Sequence, residues 1–112
     1  MKTGIIITLY NQESQINKAV LSEFLENQKN IHLCFVNNGS TDNTLSVLDE
    51  ISQQYPDHTS IVNIKKEKGL EAALKLGFRF LSNLKSFNQL CFIPKINFNE
   101  LSKITSINKA YQ

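Results

Sequence analysis

Short strand-like runs alternate with helix-like stretches along this chain, and that alternation constrains its fold more than any other feature. Residues 4–10 form a continuous apolar run built on Ile5-Ile6-Ile7. No polar residue interrupts its centre, as expected for a strand covered on both faces. The polar break Asn11-Gln12-Glu13-Ser14 suits a helix start. Ile16, Val20, Leu21, Phe24 and Leu25 then recur at helical spacing, predicting a helix over residues 13–27.

The same unit repeats. Residues 31–36 read as a second strand and Asn37 to Asp42 as a turn. Asn38-Gly39 alone would fit a hairpin. Leu45, Leu48 and Ile51 instead continue at helical spacing, with Ser40 or Asp42 available as a cap. Tyr55-Pro56-Asp57 ends that helix, and residues 61–64 form a third strand. Gly69 opens a third helix with Leu70, Ala73, Leu74, Gly77 and Leu81 on one face. Leu90 to Ile93 form a fourth strand stopped by Pro94. Leu101, Ile104, Ile107 and Tyr111 predict a last amphipathic helix. The order βαβαβαβα implies a three-layer α/β/α domain, its sheet mostly parallel and its crossovers right-handed.

A chain of 112 residues is one domain with room for a real core. No apolar run approaches the ~20 residues of a membrane span. The strand pattern behind Met1-Lys2-Thr3 is only about five residues long, short of the ~7–15-residue core of a signal peptide, so a cytoplasmic location is expected. Residues 1–57 carry three Lys against seven acids, and residues 58–112 carry nine Lys/Arg against three. The basic half reads as a solvated surface, or as a face for an anionic ligand. Cys34 and Cys91 lie in strand patterns, with no Cys/His cluster at metal spacing, and read as buried reduced thiols. His32 and His58 have no nucleophilic constellation around them and read as structural. The Phe residues at 78, 80, 87, 92 and 98 read as core and interface. No nucleic-acid motif is present.

Three blocks carry a resemblance to family 2 glycosyltransferases. Thr8-Leu9-Tyr10-Asn11-Gln12 resembles the family's Pro-x-Tyr-Asn-Glu, and Val36 to Asp42 resembles Val-Asp-Asp-Gly-Ser-Thr-Asp. Lys68 to Gly77 resembles its Gly-led helix start followed by Ala-x-Asn-x-Gly. The resemblance runs from Ile5 to Ile93 and implies a truncated A-type nucleotide-diphospho-sugar transferase fold, the nucleotide-binding half, with strand order 3-2-1-4. It implies a crevice beyond the carboxyl ends of strands 1 and 4. There a UDP- or GDP-sugar would meet Thr8, Tyr10, Asn11, Gln12, Asn37, Asn38, Gly39, Ser40 and Lys68. Tyr10 and Asn11 fit a base contact and a strand–helix turn equally well.

The departures concern charge. Asn37 and Asn38 replace both Asp of Asp-Asp-Gly-Ser. An amide keeps the size and can accept a hydrogen bond, but loses the charge. The family's Asp-x-Asp falls on Pro94-Lys95-Ile96, or on Asn97-Phe98-Asn99 in a shifted register. Neutral amides are poor sole anchors for the Mg²⁺ or Mn²⁺ that offsets a diphosphate leaving group. Lys95 reads as a surface lysine, or as a substitute positive charge. Glu100 suits the start of the last helix. No catalytic residue and no metal ligand is therefore assigned.

The resulting expectation is a family 2-like domain without independent catalysis, retaining weak nucleotide-sugar binding or an assembly role. One alternative is an active nucleotide-sugar-dependent transferase completed by a partner or dimer, with Mg²⁺ or Mn²⁺. Another is a small flavodoxin-like binding module. An open edge on strand 4 invites pairing, so a homodimer or partner chain is expected through strand 4 and the last helix. Two strand spacings, about 9.6 Å, would separate Cys34 from Cys91, too far for a disulfide.

Overall fold

The computed structural model describes residues 2–93 together with Asn97 and Phe98. Pro94, Lys95, Ile96, Asn99, Glu100 and the predicted helix from Leu101 to Tyr111 lie outside the described residues. Strand β1 (Thr3–Leu9) leads through a 3-10 turn (Glu13–Gln15) to helix α1 (Lys18–Asn27). Strand β2 (Ile31–Asn38), helix α2 (Thr44–Gln54) and strand β3 (Thr59–Ile64) follow. Helix α3 (Leu70–Leu84) and strand β4 (Gln89–Ile93) complete the described elements.

The sheet order is β3-β2-β1-β4 and every pairing is parallel. This is the expected A-type order. A flavodoxin-like sheet runs 2-1-3-4-5 and would place β3 beside β1; here β1 lies between β2 and β4.

Side-chain alternation divides the core in two. Ile5, Ile7 and Leu9 of β1 and Leu33 and Phe35 of β2 face α1 and α2, and meet Leu21, Leu25, Leu48 and Ile51. Ile6, Cys34 and Val36 face α3 and meet Ala73 and Leu81. Phe98 also joins the α1/α2 side. Of the other Phe residues singled out above, Phe78 and Phe87 are half-buried, and Phe80 and Phe92 are exposed. Cys34 and Cys91 are both free. Register pairs Ile6 with Cys34 but Ile5 with Cys91, so the thiols also sit on opposite faces. Burial pushes the Cys34 thiol up to about 12, which keeps it protonated and inert.

Three local expectations are corrected. The helix expected over 13–27 breaks at Ile16, whose backbone is extended, and restarts behind Asn17, whose Oδ1 accepts from Val20 N at 3.2 Å. An Asn cap after the break outweighs the continuous apolar period. Asn37 and Asn38 belong to β2 rather than to a turn, because Asn63 and Ile64 of β3 pair with them. Ser40 does not cap α2; its Oγ accepts from Asn11 N at 3.0 Å.

Candidate functional site

The carboxyl ends of β1 and β2 and the start of α3 enclose an open cleft of about 620 Å³. Thr8, Tyr10, Asn11 and Gln12 line one side, and Asn38 and Lys68 the other. These are six of the nine residues named from sequence. Asn37, Gly39 and Ser40 are not among its lining residues. Leu9, Gln15, Glu67, Gly69 and Leu70 also line it and were not assigned to it. Position beside Lys68 in the third block was the available signal for Glu67 and Gly69.

The local structure fixes which polar groups a ligand can use. Tyr10 is exposed, as a stacking or edge contact requires. Asn11 adopts φ of 50°, a left-handed conformation that Asn tolerates better than most residues. Its Oδ1 accepts from Thr41 N at 2.7 Å and Asp42 N at 3.3 Å. The Asn11 side chain therefore closes the turn between the first and second loops.

Asp42 and Glu13 extend that closure. Asp42 Oδ1 accepts from Thr44 N at 2.9 Å, and its Oδ2 accepts from Glu13 N at 3.2 Å. Glu13 in turn accepts from Asn43 N at 3.1 Å. Desolvation of Asp42 opposes ionisation, but the hydrogen bonds from the Thr44 hydroxyl and these backbone amides hold its carboxyl below the usual carboxylate range. Gln12 is buried, its backbone amide donating to Thr44 Oγ1 at 3.0 Å.

Asn38 has the clearest assignment. Its Nδ2 donates to Lys68 O at 2.8 Å and its Oδ1 accepts from Lys68 N at 2.9 Å. The carboxamide thus behaves like one more rung of a sheet, stapling the β3–α3 loop to β2. A carboxylate cannot make both bonds, because it has no donor. Asn37 donates from Nδ2 to Asn63 Oδ1 at 2.9 Å, on the α1/α2 side of the sheet. Its own Oδ1 is buried without a partner among the described residues.

Among the described residues Glu67 supplies the only carboxylate in the cleft lining, and the carboxamide of Asn38 is committed to Lys68. Among the described residues no three His, Cys, Asp or Glu side chains are grouped to hold a metal ion. The described lining thus offers a divalent cation on a diphosphate one carboxylate, and positions 94–96, to which the resemblance assigns the family's metal ligands, lie outside the described residues.

A parallel sheet in the order 3-2-1-4, with a cleft at the carboxyl ends of its strands, defines a domain of the A-type glycosyltransferase fold. The chain belongs to glycosyl transferase family 2, whose model matches residues 4–83. It is 30% identical over 78 residues to an uncharacterized glycosyltransferase of Nostoc sp., covering 70% of this chain and 24% of that protein. It is 28% identical over 108 residues to the glycosyltransferase GlyA of Streptococcus pneumoniae, covering 96% of this chain and 15% of that protein. A crystal structure of S. aureus TarS (1-349) superposes with a TM-score of 0.63 at 18% identity, over 95% of this chain and 32% of that one. That likeness is one of fold. The chain spans about a quarter or less of the length of these two curated relatives. Among the described residues no helix is long and apolar enough to cross a membrane.

Proposed function

We propose that this domain holds the nucleotide-diphosphate part of a nucleotide-sugar weakly in the β1–β2–α3 cleft, without metal, and does not catalyse transfer by itself. The observation that carries the reading is Gly69. It lines the cleft at the N-cap of α3, yet neither backbone nor packing demands glycine there. Its φ is −59°, and a Cβ built on it would meet nothing within 4 Å. A glycine there puts no side chain over the first amides of the 15-residue helix. Such amides suit phosphate oxygens. Lys68 adds a positive charge beside them. By resemblance the family's metal-binding position would fall on Pro94-Lys95-Ile96, or on Asn97-Phe98-Asn99 in a shifted register, and neither carries a carboxylate.

Calorimetry against UDP, GDP and UDP-sugars, with and without Mn²⁺, tests this. Weak binding that Mn²⁺ leaves unchanged, with no donor hydrolysis, is expected. Micromolar binding enhanced by Mn²⁺, or turnover, would favour the active-transferase reading and overturn this one. Gly69→Asn separates binding from folding: Asn is also a favoured N-cap residue, so the variant should weaken UDP binding while leaving the melting temperature near the wild-type value.

An assembly role rests on a separate surface. Among the described residues β4 pairs only with β1, and Phe92 on it is 49% exposed, in edge contact with Phe78. Light scattering with Phe92→Ser tests whether copies of this chain associate there; a homodimer lost in the variant supports the role, and a wild-type monomer removes it.

A further inference from the structure

Asn38-Gly39 is the one Asn-Gly pair in the sequence. Glycine after asparagine offers the least steric hindrance to attack by the following backbone nitrogen on the carboxamide, because no Cβ stands in the way. Three features of the fold oppose that attack. The attacking nitrogen, Gly39 N, is occupied as a donor to Asn37 O at 3.1 Å. Both polar atoms of the Asn38 side chain are held by the Lys68 backbone, and the residue is 8% exposed. Gly39 is pinned at φ +72°, against the β3–α3 loop; a Cβ there would lie 2.3 Å from Glu67 N.

We propose that Asn38 is a latent deamidation site gated by the β3–α3 loop, and that its conversion releases that loop irreversibly. The chemistry needs only water. When the Lys68 contacts open, Gly39 N loses its proton to solvent and attacks Asn38 Cγ. The N–Cγ bond forms, the Cγ–Nδ2 bond breaks, and ammonia leaves after taking up a proton. Water then opens the cyclic imide. Cleavage at Cγ leaves aspartate; cleavage at the backbone carbonyl leaves isoaspartate. Neither product can close the loop again as before. The carboxylate has no donor for Lys68 O, so two acceptors face each other in a buried place. Isoaspartate also adds a backbone atom, which breaks the Asn38–Ile64 register. The released segment carries Glu67, Lys68 and Gly69, so the modification remodels the cleft wall. This inference stands on the loop geometry and does not depend on what the cleft binds.

The test follows two observables in the wild-type chain at pH 8: the mass gain at Asn38, and hydrogen exchange of the Lys68 amide. A free peptide spanning Val36 to Thr41 supplies the ungated deamidation rate. The folded chain should deamidate about tenfold or more slowly, the scale of population change that two ordinary hydrogen bonds supply. That factor should match the protection of the Lys68 amide. In N38D, or in deamidated wild-type chain separated by ion exchange should N38D not fold, the Lys68 amide should exchange faster. Deamidation of folded chain at the peptide's rate would overturn the gate. Wild-type protection of Lys68 after conversion would overturn the release.

Discussion

Asn11 Oδ1 lies 2.7 Å from the backbone nitrogen of Thr41, thirty positions away, and this contact joins the loop after β1 to the loop after β2. One side chain thereby fixes the spacing of the two strand ends that line the cleft. Its left-handed backbone is part of the same device. Asn11→Ala should destabilise the domain by roughly 1–3 kcal/mol, through lost hydrogen bonds and left-handed strain together. Asn11→Gly should cost less, since only the bonds are lost. Urea denaturation compares them; equal costs would remove the backbone contribution.

Gly77 sets two magnitudes against each other. Alanine in a helix interior is about 1 kcal/mol better than glycine. Here, however, a Cβ would sit 2.7 Å from Ile6 Cγ2 and 3.1 Å from Val36 Cγ2. Both neighbours are β-branched, stiff, and fully buried in the sheet. Overpacking of this kind costs about 1–3 kcal/mol. Gly77→Ala should therefore lower the melting temperature, and a rise would show that α3 can lift off the sheet.

His32 should make the domain acid-sensitive. Burial, followed by the positive charge of Lys85, pushes its pKa from 6.5 down to about 4; His58 and Lys2 act the same way, and the Asp57 carbonyl opposes them. Its Nε2 lies 2.7 Å from Ser60 Oγ, and Nδ1 is buried. The folded pKa is below the unfolded one, so between these values the unfolded chain binds more protons. Stability should fall as pH drops from about 6.5 to 4 and flatten below, by roughly 1–3 kcal/mol from this group once solvent screening is allowed for. His32→Gln should reduce that slope in chemical denaturation. An unchanged slope would assign the sensitivity to other groups.

The Lys18–Glu50 ion pair joins α1 to α2 at 2.5 Å, but both side chains are more than half exposed. Solvent screening should hold its contribution below about 1 kcal/mol. Lys18→Met should shift the urea midpoint only slightly, and the shift should vanish in high salt. A larger effect would mean that α1 is anchored mainly by charge.

Strand and helix order was legible because short continuous apolar runs and apolar residues recurring every three to four positions leave different marks. Ile5-Ile6-Ile7 and the Ala73–Gly77–Leu81 face needed no partner to be read. The break between Ile16 and Lys18 was hidden, because Asn17 competes locally with an apolar period that runs through it. The roles of Asn11 and Asn38 were also hidden. Their partners, Thr41 and Lys68, lie about thirty positions away and meet them only once β1, β2 and β3 are aligned.

The amino-acid sequence by itself determined the α/β layering and the family. These follow from residue type and spacing, which are properties of the chain. Only the tertiary structure decided which polar groups remain free for a ligand. Sheet register brought the Asn38 carboxamide to the Lys68 backbone and consumed both of its hydrogen-bonding atoms, while Gly69, one residue further on, was left open to the cleft.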